Sequence, residues 1–354
     1  MYTRRNSRWA LDTGPRVRDV SISGFTFRGF KDENAFVIDF YAARNATVVG
    51  NRITGNVAIG IGLGGSVNST IANNHVISSP EPAEHGIFVN NDSRNTKVVN
   101  NVVRGYASGI EDDKSTNTTI AGNDLIGNGF GVLPIESTGT EILSNDITDS
   151  TSIGTIIVDS TGTKIVSNDI RRSGERGISI FGPERANTDA KVVGNRISGG
   201  PWGILVANAH GGSFTGNRVH DNCAGMFFEA FKGEPVGGFE VKGNTVKDNT
   251  RSCRSQKFGR NLSGIGIALL GTTDMEVTAN HLSGNVPSGP TAVSGGVVVS
   301  TDPFFGGTIK PRNNSIVGNR FGRNKPDIFW DESGSGNRFF GNLCNSSVPH
   351  RLCD

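Results

Sequence analysis

Along most of the chain, short runs of Val, Ile and other apolar residues alternate with polar ones and are broken by Asn, Gly and Ser. The stretch Asn117–Asp146, NTTIAGNDLIGNGFGVLPIESTGTEILSND, shows the plan. A β-rich couplet leads to an Asn. An apolar residue follows two positions on, then polar turn residues, a Gly and a second apolar strand. The phrase repeats, with its anchors Asn123 and Asn145 22 residues apart. The same anchor recurs at Asn51, Asn74, Asn101, Asn168, Asn195, Asn217, Asn244, Asn280, Asn319 and Asn342. Most intervals are 22, 23 or 27 residues, and two are 36 and 39. A constant unit that tolerates insertions is the signature of a solenoid. Val and Ile rather than Leu hold the repeated positions and nothing reads as a helix, so short strands are favoured. The pattern predicts an all-β fold, a single-stranded right-handed parallel β-helix of about twelve coils. Each coil would add a rung of about 4.8 Å, the spacing of paired strands.

A solenoid grows by stacking coils that touch only their neighbours, so 354 residues need not mean two domains. The organisation expected is an N-terminal lead-in and cap over 1–16, the β-helix over 17–342 and a C-terminal tail over 343–354. Open end coils would offer their strand edges to other chains. Trp9 and Leu11 at one end, and Phe329, Trp330, Phe339 and Phe340 at the other, are expected to close the stack. The anchor asparagines read as a ladder of turn residues bonded from coil to coil, in a chain whose 49 glycines suit tight turns.

One strand aligns coil by coil on a Gly-apolar start, as in Gly60-Ile61, Gly86-Ile87, Gly109-Ile110, Gly131-Val132, Gly177-Ile178, Gly203-Ile204 and Gly225-Met226. Alternation places the residue after Gly inside and the next one outside. The outward column then holds Phe88, Glu111, Leu133, Ser179, Leu205, Phe227 and Val298, with Asn90, Asp113, Phe181 and Glu229 one step further out. Aromatic groups beside carboxylates point to a ligand surface. Insertions precede this strand at Ser78–Glu84, Thr250–Ser263 and Val286–Ser294, and follow it at Phe181–Asp189, Phe231–Val236 and Thr301–Asn313. Rising on both sides, they would make the face a groove.

Charge narrows the partners. The formal net charge is +2 with both signs mixed, which makes no electrostatic case for nucleic acid. No apolar run approaches the roughly 18 residues a membrane span needs, and the start of the chain shows no apolar segment of a signal peptide. Cys223 and Cys253 stand 30 residues apart and Cys344 and Cys353 stand 9 apart, without metal-ligand spacing. Two disulfides in an exported protein, or buried free thiols, both fit. No metal or cofactor is expected.

Two clusters are candidates for chemistry. In the first, His85 and Phe88 are followed one coil on by Glu111, Asp113 and Lys114, and then by Glu136 and Asp159. Lys114, Glu136 and Asp159 fall in one register. Neighbouring carboxylates push one pKa up and leave the other ionised, a separation that acid–base work on a glycosidic bond requires. The bland alternative is a surface ladder in which Lys114 neutralises two acids. The second cluster comprises His210, Phe227, Glu229 and Lys232, with Asp302 and the basic insertion residues Arg254, Lys257 and Arg260. There Glu229 beside an aromatic would serve as acid or base, or the group is a solvated rim. The catalytic candidates are thus His85, Asp113, Glu136, Asp159, His210 and Glu229. The substrate-binding candidates are Phe88, Glu111, Lys114, Phe181, Leu205, Phe227 and Lys232.

From Val17 to Asn342, the repeated N-x-I/V phrase and the 22-residue coil resemble the pectin-lyase-like superfamily of right-handed parallel β-helices. That resemblance implies polysaccharide lyases, polygalacturonase-like hydrolases or uronate C5-epimerases. Asn90-Asn91-Asp92 followed by Asp112-Asp113 is similar to the polygalacturonase Asn-x-Asp and Asp-Asp motifs. Here Glu84-His85-Gly86 precedes them and no Arg-x-Lys follows in place. Glu84-His85 is also similar to the acidic-Pro-His segment of alginate epimerases, without its Pro or its preceding Tyr. No dense run of acids reads as a calcium site. The expected function is a secreted, extracellular enzyme working on an extended, acidic polysaccharide by carboxylate and His chemistry. Two alternatives stand beside it: a non-catalytic β-helix that binds glycan or a cell surface, and an isomerase- or cyclase-like enzyme for a small apolar metabolite. The oligomeric state is not legible.

Overall fold

The computed structural model describes residues 9–12, 17–30, 35–55, 58–78, 83–182, 187–230, 236–254, 259, 261–303 and 307–353. Among these residues every regular element is a strand. A turn contains three, as in Tyr106–Asp113, Thr119–Ala121 and Asp124–Ile126. Each strand pairs in parallel with its counterpart one turn on. This is a parallel β-helix of about thirteen turns. Contacts divide the chain into two compact units, 1–169 and 170–354. Within each unit the coil strands form three parallel sheets, a broad sheet of longer strands, a second sheet and a third, and in 170–354 Cys253–Arg254 and Asn261–Leu262 add a short antiparallel pair. At the N-terminal side Trp9–Asp12 is a strand of the broad sheet, with Trp9 opposite Phe36.

Strand alternation builds the core. Ile110, Ile120 and Leu125 of one turn stack on Val132, Ile142 and Ile147 of the next, all 0% exposed. Burial of each such side chain stabilises by about 1.5–3 kcal/mol. The Gly near the start of most broad-sheet strands is there because its neighbours crowd it. A Cβ on Gly109 would lie 2.7 Å from the Gly131 carbonyl oxygen and 2.9 Å from the Asn128 amide.

The anchor asparagines turn the corner between the second and third sheets. Asn123 Oδ1 accepts from the backbone N–H and Nδ2 of Asn101 at 2.9 and 3.0 Å, and Asn123 Nδ2 donates to the Val98 carbonyl at 2.9 Å. The chain of bonds runs from Asn51 to Asn168 in the first unit and from Asn195 to Asn342 in the second. A second ladder, which the sequence reading missed, turns the corner from the third to the broad sheet. In 170–354 it links Asn222, Asn249, Asn285 and Asn324 and ends on the Asp327 carboxylate. In 1–169 Asn128 holds the same place and accepts from the Tyr106 N–H at 3.0 Å.

Both cysteine pairs are bonded, Cys223–Cys253 and Cys344–Cys353. At the C-terminal end the Trp330 and Phe339 rings meet at 5.5 Å, while Phe340, expected to close the stack, is 55% exposed.

Candidate functional site

The broad sheet's outer surface differs between the units. In 1–169 its register sets Phe88 beside Glu111 and Glu111 beside Leu133, with Asp113 beside Ile135. Here the expected outward column is present, and its polar members come together. His85 Nδ1 lies 3.0 Å from Glu111 Oε2, both side chains being mostly buried. The approach is a close polar contact rather than an aligned hydrogen bond, since His85 Nδ1 makes no hydrogen bond of acceptable geometry. The His85 ring stacks on Phe88 at 4.5 Å and 11°. Burial raises the Asp113 pKa above the ordinary carboxylate value, Glu111 and Glu136 raise it further, and Lys114 and His85 oppose them.

Lys114, Glu136 and Asp159 occupy the turn that leaves the broad sheet, each with left-handed backbone at φ 49°, 46° and 48°. Their shared register is as expected. Lys114 Nζ lies 3.8 Å from Glu136 Oε2, but both side chains are more than half exposed, so the pair contributes at most about 1 kcal/mol.

Asp112, paired with Asp113 in the polygalacturonase-like motif, faces the other way. It is fully buried inside the helix and accepts hydrogen bonds from Thr118 Oγ1 at 2.8 Å and Thr140 Oγ1 at 2.6 Å. Burial pushes its pKa up and those hydroxyls pull it down. Successive strand residues point to opposite faces, so an adjacent Asp-Asp pair here cannot present two acids to one ligand.

In 170–354 the same outer surface is covered, which corrects the expectation of a groove there. Leu205, Phe227, Ala268 and Val298 lie side by side in register. With Trp202, Leu262 and others they form an apolar cluster, and Cys253 and Val293 from two insertions pack against it. Leu205 and Phe227 are 2% and 0% exposed and so are unavailable to a substrate. Glu229, proposed as catalytic, is buried at the end of its strand. Phe181 is half-buried against the cluster, under the Arg176 guanidinium 5.5 Å from its ring centroid. His210 stands on the second sheet, opposite Asn187 and Gly237, whereas Glu229 is on the broad sheet. Lys232 lies outside the described residues, as do Lys257 and Arg260. Cys253, Leu262 and Val293 of the insertions form a roof over this stripe, and the Cys223–Cys253 bond ties one insertion to the sheet below.

Residues 130–321, more than half of the chain, match the family model described as a right handed beta helix region. Residues 19–132 match the model described as periplasmic copper-binding protein (NosD). Copper does not fit this segment. It holds two histidines, no Cys and no Met, and His75 lies on the third sheet while His85 lies on the broad one. Copper sites draw on clustered imidazole and sulfur ligands, and among the described residues no group of three His, Cys, Asp or Glu is placed to hold a metal ion. Among solved structures, the periplasmic alginate epimerase AlgG is 14% identical, with a TM-score of 0.58 over 91% of this chain and 77% of its own. The catalytic domain of a GH87 alpha-1,3-glucanase is 11% identical, with a TM-score of 0.64 over 90% of this chain and 64% of its own. DFA-IIIase from Arthrobacter chlorophenolicus A6 is 12% identical, with a TM-score of 0.56 over 89% and 82%. At these identities the likeness is one of fold. No curated protein sequence matches the chain.

Proposed function

Since the chain belongs to the right-handed β-helix family, we propose that the charged face of residues 1–169 binds an extended, acidic polysaccharide and moves protons on it. The observation that carries this reading is the His85–Glu111 contact beside Asp113, a carboxyl group that holds its proton to higher pH than usual. Glu111 engages Nδ1 and so leaves Nε2 of His85 as the nitrogen that exchanges a proton. His85 takes the proton from the carbon next to a uronate carboxylate. Lys114 offsets the charge that gathers on that carboxylate. Return of the Asp113 proton to the opposite face of that carbon inverts the centre. Departure of the neighbouring glycosidic oxygen, with a proton from Asp113, cleaves the chain by elimination. Both outcomes use the same base, and the positioned acid and base each contribute about 10²–10⁴-fold. Glu136 supports the Asp113 proton by its charge. The names of the similar structures, an epimerase and a glucanase, support a glycan as the substrate class. The reading for a small apolar metabolite loses support because Leu205 and Phe227 are covered. Two disulfides, together with the periplasmic names of NosD and AlgG, support a compartment outside the cytoplasm.

The test is incubation with a panel of uronans, following unsaturated products by ultraviolet absorbance and solvent deuterium entering the sugar by NMR. The expected result is one of these signals, lost in His85→Ala. Neither signal, with glycan still retained, would replace the enzyme with a glycan-binding β-helix.

A further inference from the structure

A second group of charged side chains in residues 1–169 takes no part in that chemistry. Where the chain passes from the broad to the second sheet, Arg18, Arg44, Val67 and Arg94 occupy successive rungs of one parallel column. All three arginines are exposed. Arg18 and Arg44 line a cleft of about 420 Å³ together with Ala42, Gly65 and Val67. Like charges directly opposite one another in a sheet repel. The carboxylate next in sequence, Asp19, is engaged by the Asn45 amide at 2.8 Å. Among the described residues, neither the Arg18 nor the Arg44 guanidinium has an ion-pair partner. Two adjacent, unneutralised cations facing a cleft match an anion whose charges repeat along the rungs.

We propose that Arg18 and Arg44 form an anion subsite that holds carboxylates of successive uronate residues, apart from the face carrying His85. The rung spacing of about 4.8 Å is close to the length of one pyranose in an extended chain. Each guanidinium is a planar fork matched to a carboxylate. Arg94, beyond Val67, extends the track by a further cation. This deepens the acidic-polysaccharide reading and rests on its substrate class, though not on its catalytic residues.

The experiment is affinity electrophoresis of the full chain in gels containing polygalacturonate or a neutral glucan. Wild type is expected to be retarded by polygalacturonate alone, and less so as salt is raised. Arg18→Ala/Arg44→Ala is expected to raise the apparent Kd at least tenfold with no fall in melting temperature, since the substitutions also remove a repulsion. Arg52→Ala/Arg104→Ala, which removes two exposed cations from the third sheet, is expected to stay within twofold of wild type. Undiminished retardation of the arginine double variant would overturn the subsite, as would binding to anionic phospholipid vesicles with none to polygalacturonate. Failure of the catalytic reading appears separately, as turnover that survives His85→Ala.

Discussion

Both units carry a broad sheet with the same inner plan, yet their outer surfaces have opposite fates. In 1–169 the column reads Phe88, Glu111, Leu133 and ends in a half-buried cluster with His85 and Asp113. In 170–354 it reads Leu205, Phe227, Ala268, Val298 and is sealed beneath insertions. The inner faces differ less, because every turn must bury an apolar layer against the next, Val, Ile and Leu in most turns and Phe214, Phe228 and Phe239 in one stretch of 170–354. The outer faces are free to differ, and the side chains there decide whether an insertion borders the surface or lies down on it. Apolar burial is non-directional and proportional to area, so an apolar stripe attracts an apolar loop. A charged stripe does not, since burying unpaired charge costs more than the loop's contacts return.

Substitutions in the two faces should therefore fail in different assays. The largest effect expected is from His85→Ala, with turnover falling about 10²–10⁴-fold while denaturant unfolding shifts by only about 1–2 kcal/mol, the loss of one stacked, largely covered ring. Phe227→Ala should do the reverse, losing about 3–5 kcal/mol of unfolding free energy with turnover per folded molecule unchanged. A loss of turnover there, without unfolding, would mean the covered face takes part in chemistry. Replacing Cys223 and Cys253 with Ser should cost about 2–4 kcal/mol and raise the fluorescence of an apolar-surface dye as the roof loosens.

The smallest effects concern protons. Asp113 has a folded-state pKa above its ordinary value of 3.8, chiefly from burial. The sign follows from the folded state binding the proton more tightly: this contribution is present below that value and is lost as pH rises through the raised pKa. Asp113→Asn should make stability slightly flatter across that window in pH-dependent unfolding. Lys114 pulls the Asp113 pKa down, so Lys114→Met should move the corresponding limb of the pH–rate profile to higher pH.

Much of the geometry was legible because coils stack in fixed register, so a constant offset from an anchor is a constant place in space. The left-handed turn at Lys114, Glu136 and Asp159 follows from such an offset, as does the inside–outside alternation that separates Asp112 from Asp113. Two columns with the same signal went unread. The second ladder stands five residues after the anchors, as Asn222 after Asn217 and Asn249 after Asn244. Arg44, Val67 and Arg94 stand seven residues before Asn51, Asn74 and Asn101. The 3.0 Å contact of His85 with Glu111 was not legible, because rotamers and not register bring those groups together.

The order of side chains alone dictated the rungs, since a buried Asn needs its bonding partner one coil away and a β-branched residue needs a pleated neighbour. Which outer surface stays accessible was settled only by folding. Cys253, Leu262 and Val293 come from insertions whose course no repeat constrains, and each packs on the apolar stripe and so removes apolar area from water.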